Sequence, residues 1–221
     1  YGLDLTRRAL LGVLKYPVIR AEVLATMMPE VSTNKPLRVN DWLPPKAYFE
    51  SEAQEVNWLL SVLPAHDSVL FQSLAVSPGD HQHGASMYRT LDCSIMDIAD
   101  DIAYGVHDLE DAIQLSLIGR TQLETSGFKA LLEQTALNAR PLPLLDALFD
   151  DAIFVRKQAI GEMVNYFVTS TRIEVTHEDF ETGLLKYNAV LLPEAKSLLK
   201  ALVDCIYEHV IDSQAARTFE Y

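Results

Sequence analysis

The sequence predicts an all-α protein, a helical bundle with long irregular connections, and three observations carry that prediction. Apolar residues recur at helical spacing along most of the 221 residues. Hydrophobic residues make up 49% of the chain and are spread evenly, which excludes a disordered polymer. Only nine glycines occur, too few for a β-rich fold built on tight turns. A chain of this length buries a real core and fits a single domain, with room for a small C-terminal appendage.

The elements follow in order. Leu10, Val13 and Leu14 mark a short first helix that Pro17 stops. Pro29, Pro36, Pro44 and Pro45 make residues 29–50 a long irregular connection. Ser51, with Gln54 three residues on, reads as a capping box. It opens a second helix whose apolar face is Val56, Leu59, Leu60 and Leu63. A loop containing Pro78-Gly79-Asp80-His81-Gln82-His83-Gly84 leads to a helix from about Leu91 to Val106. A short helix from about Asp108 to Ile118 and another from about Ser126 to Asn138 come next. The longest helix is expected from Pro143 to about Val168, with Leu145, Leu148, Phe149, Ala152, Ala159, Ile160, Met163 and Phe167 on one face. Thr171 to Thr176 reads as a small strand or extended loop. The last helix runs from Pro193, well placed in a first turn, to about Val210. Its apolar side is Leu198, Leu199, Leu202, Cys205, Ile206 and His209.

Composition excludes several classes of function. No apolar run reaches the length of a membrane span, and the N-terminal stretch has no signal-peptide cleavage pattern. Cys93 and Cys205 fall in helical patterns and are expected to be buried, reduced thiols of a cytoplasmic protein. No Cys/His cluster has zinc spacing. A formal net charge of −13 argues against a broad nucleic-acid surface, because phosphates repel such a chain. The sequence opens without Met at Tyr1-Gly2 and closes abruptly at Arg217 to Tyr221, as expected of a piece of a longer protein.

The segment Ser94 to Asp108 carries the chemistry. At about 100° per residue, Ile95, Ile98, Ala99, Ile102, Ala103 and Val106 share one broad face. Asp97, Asp100, Asp101, Tyr104 and Asp108 fall roughly opposite, so four carboxylates and a phenol form one stripe. The ordinary interpretation of such a stripe is a solvated surface. Against it stands the single sign of the charges, with no Lys or Arg from Asp92 to Leu117 to give salt bridges at helical spacing. Carboxylates held together need a cation or a hydrogen-bonding ligand to offset their repulsion.

The string Ile98-Ala99-Asp100-Asp101-Ile102-Ala103-Tyr104, followed by His107-Asp108-Leu109-Glu110-Asp111-Ala112, resembles the closing motif of the HD-domain deoxynucleoside triphosphate triphosphohydrolases, the dGTPase family. Leu3-Asp4-Leu5-Thr6 followed by Gly12-Val13-Leu14-Lys15-Tyr16-Pro17 is similar to a second segment of that family. His209-Val210-Ile211 followed by Ser213 fits its C-terminal layout. The resemblance spans essentially the whole chain.

The resemblance implies an HD-type helical fold and hydrolysis of a dNTP, dGTP foremost, to a deoxynucleoside and inorganic triphosphate. By it, Asp100 is the last ligand of a divalent-metal site made of two His and two Asp, holding Mn, Mg, Fe or Co. Tyr104 and Asp108 would contact the deoxyribose at its 3′-hydroxyl, and their spacing agrees, since positions i, i+4 and i+8 step along one side of a helix. Lys15 and Tyr16 would lie near the triphosphate, with Arg156 a further phosphate candidate and His107 a candidate catalytic group. A homo-oligomer is the expected assembly. The upstream His and His-Asp motifs of the family are absent from this sequence, so the chain alone is expected to bind metal weakly and to turn nothing over. His66-Asp67 has the right letters in the wrong order of segments, and His81 and His83 read as loop residues. His177 and His209 read as cap and core. Two other functions stay open: an HD phosphohydrolase of another nucleotide, and a non-catalytic helical oligomerisation or regulatory module.

Overall fold

The computed structural model describes residues 3–26, 43–139 and 141–212. Most of the proline-rich connection, Tyr1-Gly2, Ser213 and the closing Arg217 to Tyr221 lie outside the described residues. Helices dominate, and the chain divides into two compact units. One comprises residues 1–95 and 174–188, the other residues 96–173 and 189–221.

The first unit begins with α1 (Arg7–Val13), whose start is capped by the Thr6 hydroxyl accepting the Ala9 N–H at 3.2 Å. A short α2 (Arg20–Val23) follows. The second predicted helix is α3 (Ala53–Leu60), entered through a tight turn at Glu50–Glu52. Ser51 is not its cap: the Phe49 N–H donates to the Glu52 carboxylate at 2.8 Å, two residues earlier than the expected Ser51–Gln54 pair. After α4 (Ala65–Phe71), strands β1 (Leu74–Val76) and β2 (Ala85–Ser86) pair antiparallel across the histidine-bearing loop. Leu11, Val56, Leu59, Leu60, Phe71 and Tyr88 form the core with Phe180 and Leu185, the latter on α10 (Gly183–Lys186).

His66 and Asp67 lie on α4. Asp67 is fully buried and accepts the backbone N–H groups of Glu181 and Thr182 at 3.0 and 2.7 Å. That is a structural clip across the unit. His83 accepts the Ala25 N–H at Nδ1 (2.9 Å), while His81 is exposed. His177 packs edge-on against Tyr88 with ring centroids 4.9 Å apart, so it is an aromatic core contact and not a cap.

The segment expected to form two helices is one, α5 (Leu91–Gln114), 24 residues long and the longest described. It crosses from the first unit to the second after Ile95. Gly105 does not break it. A Cβ there would stand 2.8 Å from Leu199 Cδ1 and 3.3 Å from Val203 Cγ2, so the missing side chain admits α11 (Pro193–Ile206) against α5. The expected helix from Ser126 to Asn138 is replaced by α6 (Arg120–Thr125), α7 (Phe128–Leu132) and a tight turn at Ala136–Ala139. Gly127, at φ +81, turns the chain between α6 and α7 through a conformation closed to most side chains.

The helix expected from Pro143 to Val168 is also divided, into α8 (Leu144–Leu148) and α9 (Ile153–Thr169). At the break the Asp150 carboxylate accepts the Ala152 N–H at 2.7 Å, a local bond that competes with helix continuation. Leu145, Leu148, Ala159, Ile160, Met163 and Phe167 are nevertheless all buried in one core with Leu198, Leu199, Leu202, Cys205 and Ile206. The expected strand is β3 (Thr171–Val175), and it pairs with a second strand, β4 (Tyr187–Leu191). After α11 the chain winds into a wider π-turn at Tyr207–Ile211, where His209 is only half-buried. Both cysteines are buried, as expected. No helix among the described residues is long and apolar enough to cross a membrane.

Candidate functional site

The Thr90 hydroxyl sets the start of α5 by accepting the Cys93 N–H at 3.1 Å from a fully buried position. In the first turn Asp92 receives Arg8 of α1 through two bonds, Nε to Oδ2 at 2.9 Å and Nη2 to Oδ1 at 3.0 Å. Those bonds hold the Asp92 carboxyl below its usual range, chiefly through the Arg8 hydrogen bond and despite some desolvation.

Further along, burial follows a stripe narrower than the sequence suggests. Ile102, Gly105, Val106, Leu109, Ala112 and Ile113 are buried. Ile95, Ala99 and Ala103 are exposed, although the sequence sets them on the apolar face. Asp100 and His107 are exposed with them. Tyr104 and Asp108 occupy the shoulder between core and solvent, both half-buried. The Tyr104 phenol is pushed above its ordinary range, first by burial and then by the negative charges of Asp108 and Tyr207. Its hydroxyl is therefore a lasting hydrogen-bond donor beside a carboxylate acceptor one turn away.

A cavity of about 460 Å³ adjoins the same helix within the second unit. Ile98 and Asp101 of α5 line it together with Lys196, Lys200 and Asp204 of α11. Asp100, Tyr104 and Asp108 are not in its lining. Arg156, half-buried near the start of α9, places Nη1 3.4 Å from the Asp150 carbonyl. Its neighbour Lys157 is 3.3 Å from Glu110 of α5.

Lys15 and Tyr16 follow α1 in the first unit, and both are half-buried. Two residues join them that the sequence reading did not single out. The Arg89 guanidinium lies over the Tyr16 ring at 5.0 Å, and Lys46 Nζ lies 5.9 Å from its centroid, against 6.0 Å for Lys15. A short-range signal for this grouping is missing, since the partners are some 30 and 70 positions away in sequence.

Asp100 offers one hard oxygen donor, suited to a divalent cation as part of a larger set. Among the described residues, no three His, Cys, Asp or Glu side chains come together as a metal-holding group. The residues described here therefore do not make a complete metal site.

No family model matches the chain. Relatives match it along its whole length. A deoxyguanosinetriphosphate triphosphohydrolase-like protein of Aliivibrio fischeri (strain MJ11) is 38% identical over 229 residues, covering 100% of this chain and 51% of the relative. Proteins of the same description from Haemophilus influenzae (strain PittGG) and Pasteurella multocida (strain Pm70) are each 37% identical, with 49% and 50% of their lengths covered. The chain is a homologue of deoxyguanosinetriphosphate triphosphohydrolase-like proteins. It spans about half the length of the curated relatives it matches. Against these triphosphohydrolase-like relatives the aligned region takes in α5 with Asp100, Tyr104 and Asp108, and the Lys15-Tyr16 segment of the first unit.

Proposed function

We propose that the intact protein hydrolyses a deoxynucleoside triphosphate, dGTP foremost, to the deoxynucleoside and inorganic triphosphate, within an HD-type helical fold. Water oxygen bonds to the α-phosphorus, the bond from that phosphorus to the sugar oxygen breaks, and the departing alkoxide takes a proton. A divalent ion, when bound, would polarise the phosphate and lower the pKa of the attacking water. Asp100 would be one of its ligands.

The observation that carries this reading is the shoulder pair on α5. A phenol kept protonated and a carboxylate one turn on present a donor and an acceptor on the same side of the helix. One sugar hydroxyl satisfies both by accepting from Tyr104 and donating to Asp108. Lys15 and Tyr16 would meet the triphosphate, with Arg156 as a further phosphate contact. His107, exposed one turn beyond Ala103, would act as a proton donor to the departing oxygen.

The deciding experiment is dNTP hydrolysis by the full-length protein with Mn²⁺, beside its Asp100→Ala variant. The expected outcome is release of intact triphosphate by the wild type and loss of at least about a hundredfold in rate in the variant. Equal rates would remove Asp100 from the site. Preference for another nucleotide would reassign the substrate, and a metal-free, inactive full-length protein would leave a helical assembly or regulatory module.

A further inference from the structure

Strands β3 and β4 form a ribbon whose two strands meet water differently. Asn188 to Leu191 of β4 are buried or half-buried. In β3 every residue from Arg172 to Val175 is exposed, and Ile173 and Val175 keep 60% and 43% of their surface in water. Among the described residues no third strand pairs with β3.

Two backbone bonds fix the register of the ribbon. The Leu192 N–H donates to Ser170 O at 3.0 Å and the Thr176 N–H to Lys186 O at 3.1 Å. Both belong to one antiparallel ladder, in which alternate residues turn their backbone groups toward the partner strand and away from it. Ser170, Arg172, Glu174 and Thr176 turn toward β4, so Thr171, Ile173 and Val175 aim their N–H and C=O groups at the outer edge. That edge already draws a donor: Arg172 Nη1 lies 2.8 Å from Thr171 O, and 2.6 Å from Thr169 O. Side chains alternate too, with Arg172 and Glu174 on one face and Thr171, Ile173 and Val175 on the other.

An open edge accepts another strand, and proteins commonly guard it with charge. Here the two charges are opposite in sign and two residues apart. Let β3 pair antiparallel with a second copy of itself, centred on Ile173. The outward groups of Thr171, Ile173 and Val175 then meet those of Val175, Ile173 and Thr171. The same register sets Arg172 opposite Glu174 of the second copy, and Glu174 opposite its Arg172. A slip of two residues in either direction sets Arg172 against Arg172 or Glu174 against Glu174, which like charges oppose. The charges thus exclude the wrong registers and match the centred one. On the other face Ile173 meets its own counterpart, and apolar surface now in water is covered.

We propose that β3 is an interface between two copies of this protein, joined antiparallel about Ile173 so that the two ribbons form one continuous sheet. The contact is isologous: each copy offers the same strand, and a two-fold axis passes beside Ile173. Arg172 gives up its local carbonyl contacts for the Glu174 carboxylate of the other copy.

The test is self-association of the full-length protein, measured by sedimentation equilibrium at about 0.15 M salt, where pairs closer than about 8 Å outlast the general repulsion between acidic chains. Arg172→Glu and Glu174→Arg are each expected to weaken association at least about tenfold, because each sets like charges opposite one another twice. An equimolar mixture of the two variants is expected to restore it, since a strand with two Glu then faces a strand with two Arg. Such recovery on mixing has no source within a single chain. The double variant Arg172→Glu with Glu174→Arg should associate by itself like the wild type. Ile173→Pro removes an outward N–H, leaves the bonds to β4 in place and is expected to abolish the pairing. A monomeric wild type overturns the proposal, whether another part of the same polypeptide covers the edge or nothing does. Association that neither charge variant weakens, or that mixing fails to restore, also overturns it and puts the contact elsewhere. Where a single variant does not fold, the double variant and Ile173→Pro decide: association kept in the first and lost in the second supports the pairing, and association equal in both overturns it.

Discussion

The carboxylate of Asp67 holds the backbone N–H of Thr182 at 2.7 Å, across 115 positions of sequence. The other carboxylate oxygen holds Glu181 at 3.0 Å, so a side chain of α4 ties down the turn that leads into α10. Asp67→Ala removes two charge-assisted bonds and leaves two N–H groups without their acceptor, at a cost of about 3 kcal/mol in urea denaturation. A loss under about 1 kcal/mol would mean that the turn finds other acceptors.

The same clip gives a pH dependence. Burial alone would raise the Asp67 carboxyl, but the Thr182 hydroxyl, the Glu181 and Thr182 backbone groups and neighbouring His66 outweigh it and hold the group below its ordinary value. The unfolded chain therefore binds this proton more readily than the folded one. The stabilisation is complete above the unfolded value, about pH 4, and disappears as pH falls through the lower folded value. Denaturation midpoints of wild type and Asp67→Asn should separate above about pH 5 and draw together as pH falls below about 4.

Gly105→Ala sets two opposing magnitudes against each other. Alanine within a helix gains about 1 kcal/mol over glycine. Here its Cβ would meet Leu199 Cδ1 at 2.8 Å and Val203 Cγ2 at 3.3 Å, and such overpacking costs about 1–3 kcal/mol. The net expected change is a loss of about 1 kcal/mol, with Gly105→Val losing more. A stabilised Gly105→Ala would show that the Leu199 tip swings aside freely.

Tyr104→Phe in the full-length protein keeps the half-buried ring and deletes the donor beside Asp108. Removal of one hydrogen bond to a sugar hydroxyl is expected to lower kcat/KM for the dNTP about 10- to 100-fold. The 2′,3′-dideoxy analogue, which lacks the matching hydroxyl, should be nearly indifferent to the change. Because the phenol is held above its ordinary range, the wild type should keep this advantage through at least pH 9, about a unit below ordinary tyrosine. An equal loss for both substrates would place Tyr104 outside sugar recognition.

The Arg8–Asp92 pair looks strong by distance, yet the Arg8 side chain is 67% exposed. Water and salt screen such a pair, so Asp92→Asn should shift the denaturation midpoint only slightly, and less still in 1 M salt. A large, salt-independent shift would show that Asp92 matters to the start of α5 by some route other than Arg8.

Helical content and the buried rows of α9 and α11 were legible in the sequence because each depends on neighbours within a turn or two, whereas Thr171–Thr176 read equally as strand or extended loop until its partner β4 decided it. The acidic motif of α5 was legible as a motif, but not its orientation. Ala99 and Ala103 read as apolar, yet the row that meets Leu199 and Leu202 runs through Gly105 and Leu109, so both alanines face outward. The break at Asp150 was hidden because the surrounding periodicity continues on both sides of it, and the local bond to Ala152 leaves no trace in that pattern. Arg89, Lys46 and Asp67 were out of reach for a different reason. Each acquires its meaning from a partner brought near by chain pairing over tens of residues.

The core of the first unit is closed by Phe180 and Leu185, which arrive in the chain long after Leu11, Val56 and Phe71. During synthesis on a ribosome, Leu11, Val56 and Phe71 emerge well before Phe180 and Leu185, so this core is sealed only once the later pair is out. Between those events the whole of residues 96–173 is translated. Translation halted at residue 95 would leave Leu11, Val56 and Phe71 open to chaperones and proteases, whereas a halt just past Asn188 would have supplied Phe180 and Leu185 to cover them.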